Sequence, residues 1–395
     1  MSAARAIERC LQLAEITEQP GSICRRFATP ALVRAGDLIA GWLADAGLEV
    51  ARDGLGNLRG RTLGGDLDQP AIVLGSHYDT VPNGGAYDGA LGVTCAIEVA
   101  ERRRGGCGVP LEVHAFADEE GVRFGTAYLG SSAVFGSLDV GVGLLRDADG
   151  IDLRAALATV GGDLERRLPV PRARCYLELH IEQGPVLEQL GAPLGIVTSI
   201  AGQTRLALSL RGVAGHAGTV PMATRRDALA AAAEIVLAVE RGAPAGGVAT
   251  VGSLRVDPGA ANVIAGAARL SLDLRHADDA VREGARTTLI EESMAICRTR
   301  GVELAVDQLF DEPAVPCAPM VEEALGRAID RLGLARHELA SGAGHDAVAI
   351  APHCPVGMLF VRCDGGISHH PAESVDEDDV AAAIAVLAET LEELV

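Results

Sequence analysis

Three short apolar runs, AIVLGS at 71–76, LEVHAFA at 111–117 and RCYLELHIE at 174–182, stand apart from one another with helix-like segments between them. After the first comes GALGVTCAIEVAERRR from Gly89, with a helical period and arginines in its last turn. Strands alternating with helices point to a largely parallel sheet with its loops gathered at the strands' carboxyl ends. The pattern changes after Gly202. TRLALSLRG (204–212) alternates apolar and polar residues, as a half-exposed strand does, and RRDALAAAAEIVLAVERG is a long helical pattern. VATVGSLRV and AARLSLDLRH add two alternating strands, DDAVREGARTTLIEESMAICRTRG a second helix, and ELAVDQLF (303–310) a further strand. The first style then returns in the helix VEEALGRAIDRLG, apolar GMLFVR, a Gly-rich turn and a terminal helix from Asp376. The expected fold is α/β: a discontinuous domain at 1–203 and 316–395, with a mostly parallel sheet flanked by helices, interrupted by an α+β domain at 204–315.

All 34 cations are arginine, against 54 carboxylates, for a net charge of −20. Without lysine there is no Schiff-base cofactor and no lysine-bearing phosphate loop. A net acidic chain also lacks the basic face that nucleic acid requires, so no nucleic-acid partner is expected. Chemistry is left to Asp, Glu, His, Arg or a metal. The nine cysteines are scattered and never spaced C-x-x-C, which argues against structural disulfides and for a reducing, cytoplasmic setting. The amino-terminal stretch lacks the order of a secretion signal, and the longest uncharged runs fall short of the roughly 20 apolar residues that span a bilayer, so no membrane partner is expected either.

Four segments carry metal-type ligands. GSHYDTVPNGGAYDGALG (75–92) puts His77 at a strand end, Asp79 two residues on, and Asp88 at the start of a helix. FADEEGVRFG (116–125) offers Glu119 and Glu120, whose side chains diverge, so that one can bind metal while the other faces a metal-bound water. YLELHIEQGPVLE (176–188) places His180 in a strand, and GGISHHPAES (365–374) places His369 and His370 in a turn, of which only one is expected to ligate. Each alone reads more simply as a polar pair, an acidic turn or a satisfied core histidine. Together, at four strand ends, they suffice for two ions sharing one carboxylate, a pair that sits about 3.5–4 Å apart and activates water near neutral pH. No cysteine cluster, G-x-S-x-G elbow or strand-linked G-x-G-x-x-G competes with this reading.

In order along the chain, GSHYDTVPNGGAYDGALGV, DEEGVRFG, ELHIEQGP, GHAGTVPM, ANVI with LDLRH, SGAGHDA and GISHHPAES resemble the hydantoinase/carbamoylase family of metal-dependent amidohydrolases, within the aminoacylase and carboxypeptidase G superfamily. The resemblance implies two divalent ions per subunit, zinc or manganese. His77, Asp88 and His180 would hold one, and Asp88, Glu120 and His369 the other, with Asp88 bridging. Glu119 would be the general base and Asp79 the partner of His77. The outer domain would be catalytic, and the inserted one would form a homodimer and act as a lid. His216 would polarise the scissile carbonyl or stabilise the oxyanion, with Gln203, Asn262, Arg275 and Gly344 holding substrate and Arg275 pairing with its carboxylate. One departure is Ala265, where the family commonly has proline. No role follows for His345, Asp346 or His370, and His114, His276, His337 and His353 read as structural.

The family acts on ureido groups beside a carboxylate. The ending GMLFVRCDGGISHHPAES and the loop HYDTVPNGGAYDG resemble its allantoate amidohydrolase branch, with N-carbamoyl-L-amino acid hydrolase or β-ureidopropionase as the alternative. A dipeptidase or deacylase, and a small-molecule binding protein without activity, are the further readings.

Overall fold

The first apolar runs become the centre of a mixed sheet in the structure, a computed structural model that describes residues 2–63, 69–103, 108–139 and 141–395. The chain separates into two units: Met1–Thr198 with Cys317–Leu339 and Gly344–Val395, and Ser199–Pro316 with Ala340–Ala343.

In the first unit Val356–Val361, Ala173–Ile181, Ala71–His77 and Leu111–Phe116 lie side by side and parallel. Antiparallel strands flank them: Leu194–Ile200 beyond Val356–Val361, and Leu58–Thr62 then Leu48–Arg52 beyond Leu111–Phe116. The parallel strands Ala71–His77, Leu111–Phe116 and Val356–Val361 are buried at every position. Their continuous apolar character follows, because a strand covered on both faces cannot alternate. Helices Ala90–Arg102, Pro319–Arg331 and Glu377–Glu393 supply part of that cover. Register sets the strand ends level, His77 opposite Phe116 and His180 opposite Phe360. The loops that follow therefore leave from one edge.

The second unit is an antiparallel sheet. Gly202–Arg211 pairs with Ala267–His276 over ten consecutive positions and with Glu303–Glu312 on its other side. VATVGSLRV forms two strands rather than one, Val248–Thr250 and Leu254–Asp257, both along Ala267–His276. The break falls where the Ser253 N–H donates to Ser271 Oγ at 2.9 Å instead of to a backbone carbonyl. Alternate residues Leu206, Leu208, Leu210, Leu270, Leu272 and Leu274 pack with helices Ala228–Arg241 and Asp279–Arg300, leaving the other face of the sheet uncovered by them.

The eight described cysteines are free and buried; Cys107 lies outside the described residues. No described helix is long and apolar enough to cross a membrane.

Candidate metal centre

His77 is the last residue of its strand and 2 % exposed. Its Nδ1 lies 3.2 Å from the Asp79 carbonyl oxygen and 3.4 Å from Asp79 Oδ1, which turns Nε2 toward Asp88 Oδ1 at 3.6 Å. Asp79 also accepts the backbone N–H of Glu119 on Oδ1 at 3.0 Å and of Glu120 on Oδ2 at 3.2 Å. One buried carboxylate thus aligns the histidine and both glutamates, as an outer partner of a ligand does. The turn into the next helix requires glycine at 89: its φ is +64°, and a Cβ there would run into the His77 ring.

Asp88 sits at the centre of the cluster. His180 Nε2 lies 3.1 Å from its Oδ1 and His369 Nε2 3.0 Å from its Oδ2. Gln183 Nε2 and Ser368 Oγ donate to Oδ2 at 3.0 and 3.1 Å. Among the described residues no well-aligned hydrogen bond reaches the buried Oδ1, although two imidazole Nε2 atoms face it. His180 Nδ1 is 2.9 Å from the Ile181 carbonyl oxygen, which directs Nε2 inward to within 3.5 Å of His77 Nε2. His369, in a left-handed conformation at φ 55°, brings Nε2 to 3.6 Å from Glu120 Oε1. His370 instead turns its Nδ1 to accept the Ala372 N–H at 3.1 Å, completing the turn.

Among the described residues, three groups have donor atoms close enough to hold a metal: His77, Asp88 and His180; Asp88, Glu120 and His369; and His77, Glu119 and Glu120. The first two are the expected ligand sets, and Asp88 belongs to both. Imidazole nitrogens and carboxylate oxygens suit a first-row divalent ion, and the unbonded Asp88 Oδ1 between two histidines is an atom such an ion would satisfy.

The electrostatics agree. Burial disfavours the Asp88 carboxylate, but the three surrounding imidazoles outweigh it and hold the group well below its ordinary range. Hydrogen bonding to Asp88 raises His369 to about 9, and the carboxylates raise His77 against its burial. Burial, with Asp88 beside it, raises Glu120 to about 7, and burial pushes Glu119 well above the carboxylate range. A divalent ion held by these groups would bind in competition with protons.

Glu373, Gln183 and Ser368, beside this centre, carried no sequence signal of their own. Glu373, 5 % exposed, accepts the N–H of Tyr87 at 2.7 Å and of Asp88 at 3.0 Å on one oxygen. Gln183 and Ser368 hold Asp88 from the motifs that carry His180 and His369. His345 meets the His180 ring edge-on, centroids 4.5 Å apart, and burial keeps it neutral. Asp346 and Asp118 are further buried carboxyls whose burial pushes them well above the carboxylate range. His114 pairs with Glu112 at 2.8 Å inside the sheet, a structural role. Gly344 has no room for a side chain, because a Cβ would overlap the Tyr128 hydroxyl.

The remaining expected residues lie in the second unit. His216 and Asn262 come together through a two-residue ladder, Gly215–His216 against Val263–Ile264, with Ala217 N–H donating to the Asn262 carbonyl oxygen at 2.9 Å. Gln203 and Arg275 are direct register partners. Arg275 is engaged: Nε and one Nη donate to the two oxygens of Asp273 at 2.7 and 3.1 Å, and the other Nη to the Gly342 carbonyl oxygen at 2.8 Å. Ala265, in place of the usual proline, accepts the Ala228 N–H at 3.1 Å.

Comparison with known proteins matches residues 73–393 to the model of peptidase family M20/M25/M40. An N-carbamoyl-L-amino acid amidohydrolase of Geobacillus stearothermophilus is 41 % identical over 99 % of this chain and 98 % of its own. A probable allantoate deiminase of Oryza sativa subsp. japonica is 41 % identical over 95 % of this chain and 85 % of its own. Among solved structures, a hydantoinase/carbamoylase family amidase from Burkholderia multivorans superposes with a TM-score of 0.92 at 34 % identity, covering 99 % of this chain and 98 % of that one. With the motifs, the shared Asp88 and these full-length matches in agreement, the chain belongs to peptidase family M20/M25/M40.

Proposed function

We propose that this protein hydrolyses a carbon–nitrogen amide bond of a ureido acid with two divalent ions, zinc or manganese. The substrate in this reading is allantoate, converted with water to ureidoglycine, ammonia and carbon dioxide. The observation that carries it is Asp88, close enough to share an ion with His77 and His180 through one oxygen and with His369 through the other. His77, Asp88 and His180 are assigned to one ion, and Asp88, Glu120 and His369 to the second. When bound, such a pair acts as a Lewis acid on the carbonyl and makes water acidic enough to attack near neutral pH.

Glu119 is assigned the proton transfers. Its buried carboxylate takes a proton from the attacking water and returns it to the departing nitrogen. Asp79 positions His77 and the backbone of Glu119. From the inserted unit, His216 is assigned to the carbonyl oxygen, Gln203 and Asn262 to the substrate's polar groups, and Arg275 to its carboxylate. Gly344 lies at the turn before His345, where no side chain fits. The same reading makes the protein a cytoplasmic homodimer through its inserted domain, which also serves as a lid.

N-carbamoyl-L-amino acids are the second reading, favoured by a 41 % identical relative that bears that name. The deciding experiment measures ammonia release from allantoate, N-carbamoyl-L-amino acids and β-ureidopropionate, and free amino acid release from a dipeptide panel, after reconstitution with manganese or zinc. Preference for a carbamoyl amino acid overturns the allantoate assignment, and preference for dipeptides overturns the ureido class. Light scattering tests the dimer.

A further inference from the structure

The uncovered face of the second unit's sheet presents five arginines, and they behave in two ways. Arg205 and Arg275 both donate to Asp273. Arg211 and Arg269, at the other end of the same two strands, and Arg255, on the neighbouring strand Leu254–Asp257, are exposed and make no hydrogen bond or ion pair among the described residues. Register puts them on one face: Arg255 stands directly opposite Arg269, Arg269 opposite Ser209, and Arg211 opposite both Ala267 and Glu303. Their neighbours in sequence, Leu210, Ala268 and Leu270, point the other way, into the core under the helices.

Like charges directly across an antiparallel pair destabilise it. Arg255 and Arg269 stand in that relation, with Asp257 and Glu303 at the same end of the sheet. Between the arginines the face is made of small side chains, Ser209, Ala267 and Ala305, which leaves a concavity of about 610 Å³. That volume falls within the range of small-molecule sites. Three unpaired guanidiniums over two carboxylates make a local cation excess in a chain of net charge −20. Planar guanidinium forks match carboxylate and phosphate oxygens.

We propose that this concavity binds a small multivalent oxyanion, carboxylate- or phosphate-bearing, whose charge relieves the repulsion between Arg255 and Arg269. The site is built entirely from residues 209–305 of the second unit and is independent of the ureido-hydrolase reading.

Isothermal titration of the metal-loaded protein tests it with two weakly chelating dianions, succinate and sulfate, and with acetate as monoanion control. The expected result is saturable binding of at least one dianion with Kd below about 1 mM, weakened about tenfold in R269Q and lost in R255Q/R269Q. Succinate alone binding identifies a carboxylate ligand, and sulfate alone a tetrahedral one. Thermal melts add a sign: without dianion R269Q melts at or above the wild-type temperature, and with dianion below it. The proposal is overturned if neither dianion binds saturably with Kd below about 1 mM, or if R255Q/R269Q binds as the wild type does. It is also overturned if that variant changes oligomeric state, since the face would then meet a second copy of the chain.

Discussion

Glu373 Oε1 accepts the backbone N–H of Asp88 at 3.0 Å, joining two residues 285 positions apart in the chain. The Asp88 carboxylate is shared by both candidate ligand groups, and the peptide that carries it is anchored by the motif that supplies His369. The same oxygen takes the Tyr87 N–H, so the loop is held at two successive amides.

Replacing Glu373 by alanine leaves those two buried amides unpaired and frees the loop. Metal affinity, measured by equilibrium dialysis, is expected to fall about 10- to 100-fold, the usual cost of losing an outer partner of a ligand. E373Q keeps an acceptor oxygen and is expected to fall less. Equal affinity of wild type and E373A would remove Glu373 from this positioning role.

Glu119→Gln keeps the shape of the side chain and removes its ability to take a proton. Turnover should drop by about 10²- to 10⁴-fold with KM and metal content little changed. Metal analysis by mass spectrometry separates this outcome from loss of an ion.

Arg275 is held in place by Asp273, which also binds Arg205. R275K loses the planar fork, and its expected effect is a KM raised at least about tenfold with a smaller change in kcat. D273A removes the brace and should shift KM in the same direction. A change confined to kcat in both variants would assign Arg275 a different task.

Glu112 tests a pH dependence away from the metal centre. Burial alone would raise its carboxyl, but His114 and Arg61 outweigh burial and bring it down to about 2 from an ordinary 4.5. A depressed pKa stabilises the fold above the unfolded value. That contribution, on the order of 3 kcal/mol, is complete above about pH 4.5 and is lost as pH falls toward about 2. E112Q should therefore unfold at lower denaturant concentration than wild type at pH 7, with the gap narrowing at acid pH.

Chelation is expected to abolish amidohydrolase activity and to lower the melting temperature, because an ion that binds only the folded cluster stabilises it by mass action. Activity that survives exhaustive chelation, with metal absence verified, would contradict the two-ion reading.

Much of this could be read in the chain. Runs such as Ala71–His77 are too short for a helix and too uniformly apolar for a half-exposed strand, and they form buried parallel strands. The alternation of residues 204–212 likewise predicts a sheet with one face covered, as Gly202–Arg211 is. VATVGSLRV misled, because the diversion of the Ser253 N–H to a serine side chain leaves no trace in hydrophobic period. Arg275 shows the same limit. Its fork could be assigned to a substrate from its motif, but its bond to the Gly342 carbonyl oxygen, 67 residues away, comes only with the fold.

The sequence by itself determined the kinds of donor available, histidine and carboxylate without lysine, and the local elements that present them. These depend on composition and on periods of two and 3.6 residues, which are local properties. Only the tertiary structure decided that Glu373 anchors the Asp88 peptide and that Arg255 stands directly opposite Arg269. His77 and His180 are 103 residues apart, and Ser368 and Asp88 are 280 apart. Such pairs meet because parallel register sets the strand ends level and the intervening helices fold back over the sheet, and no local period encodes that register.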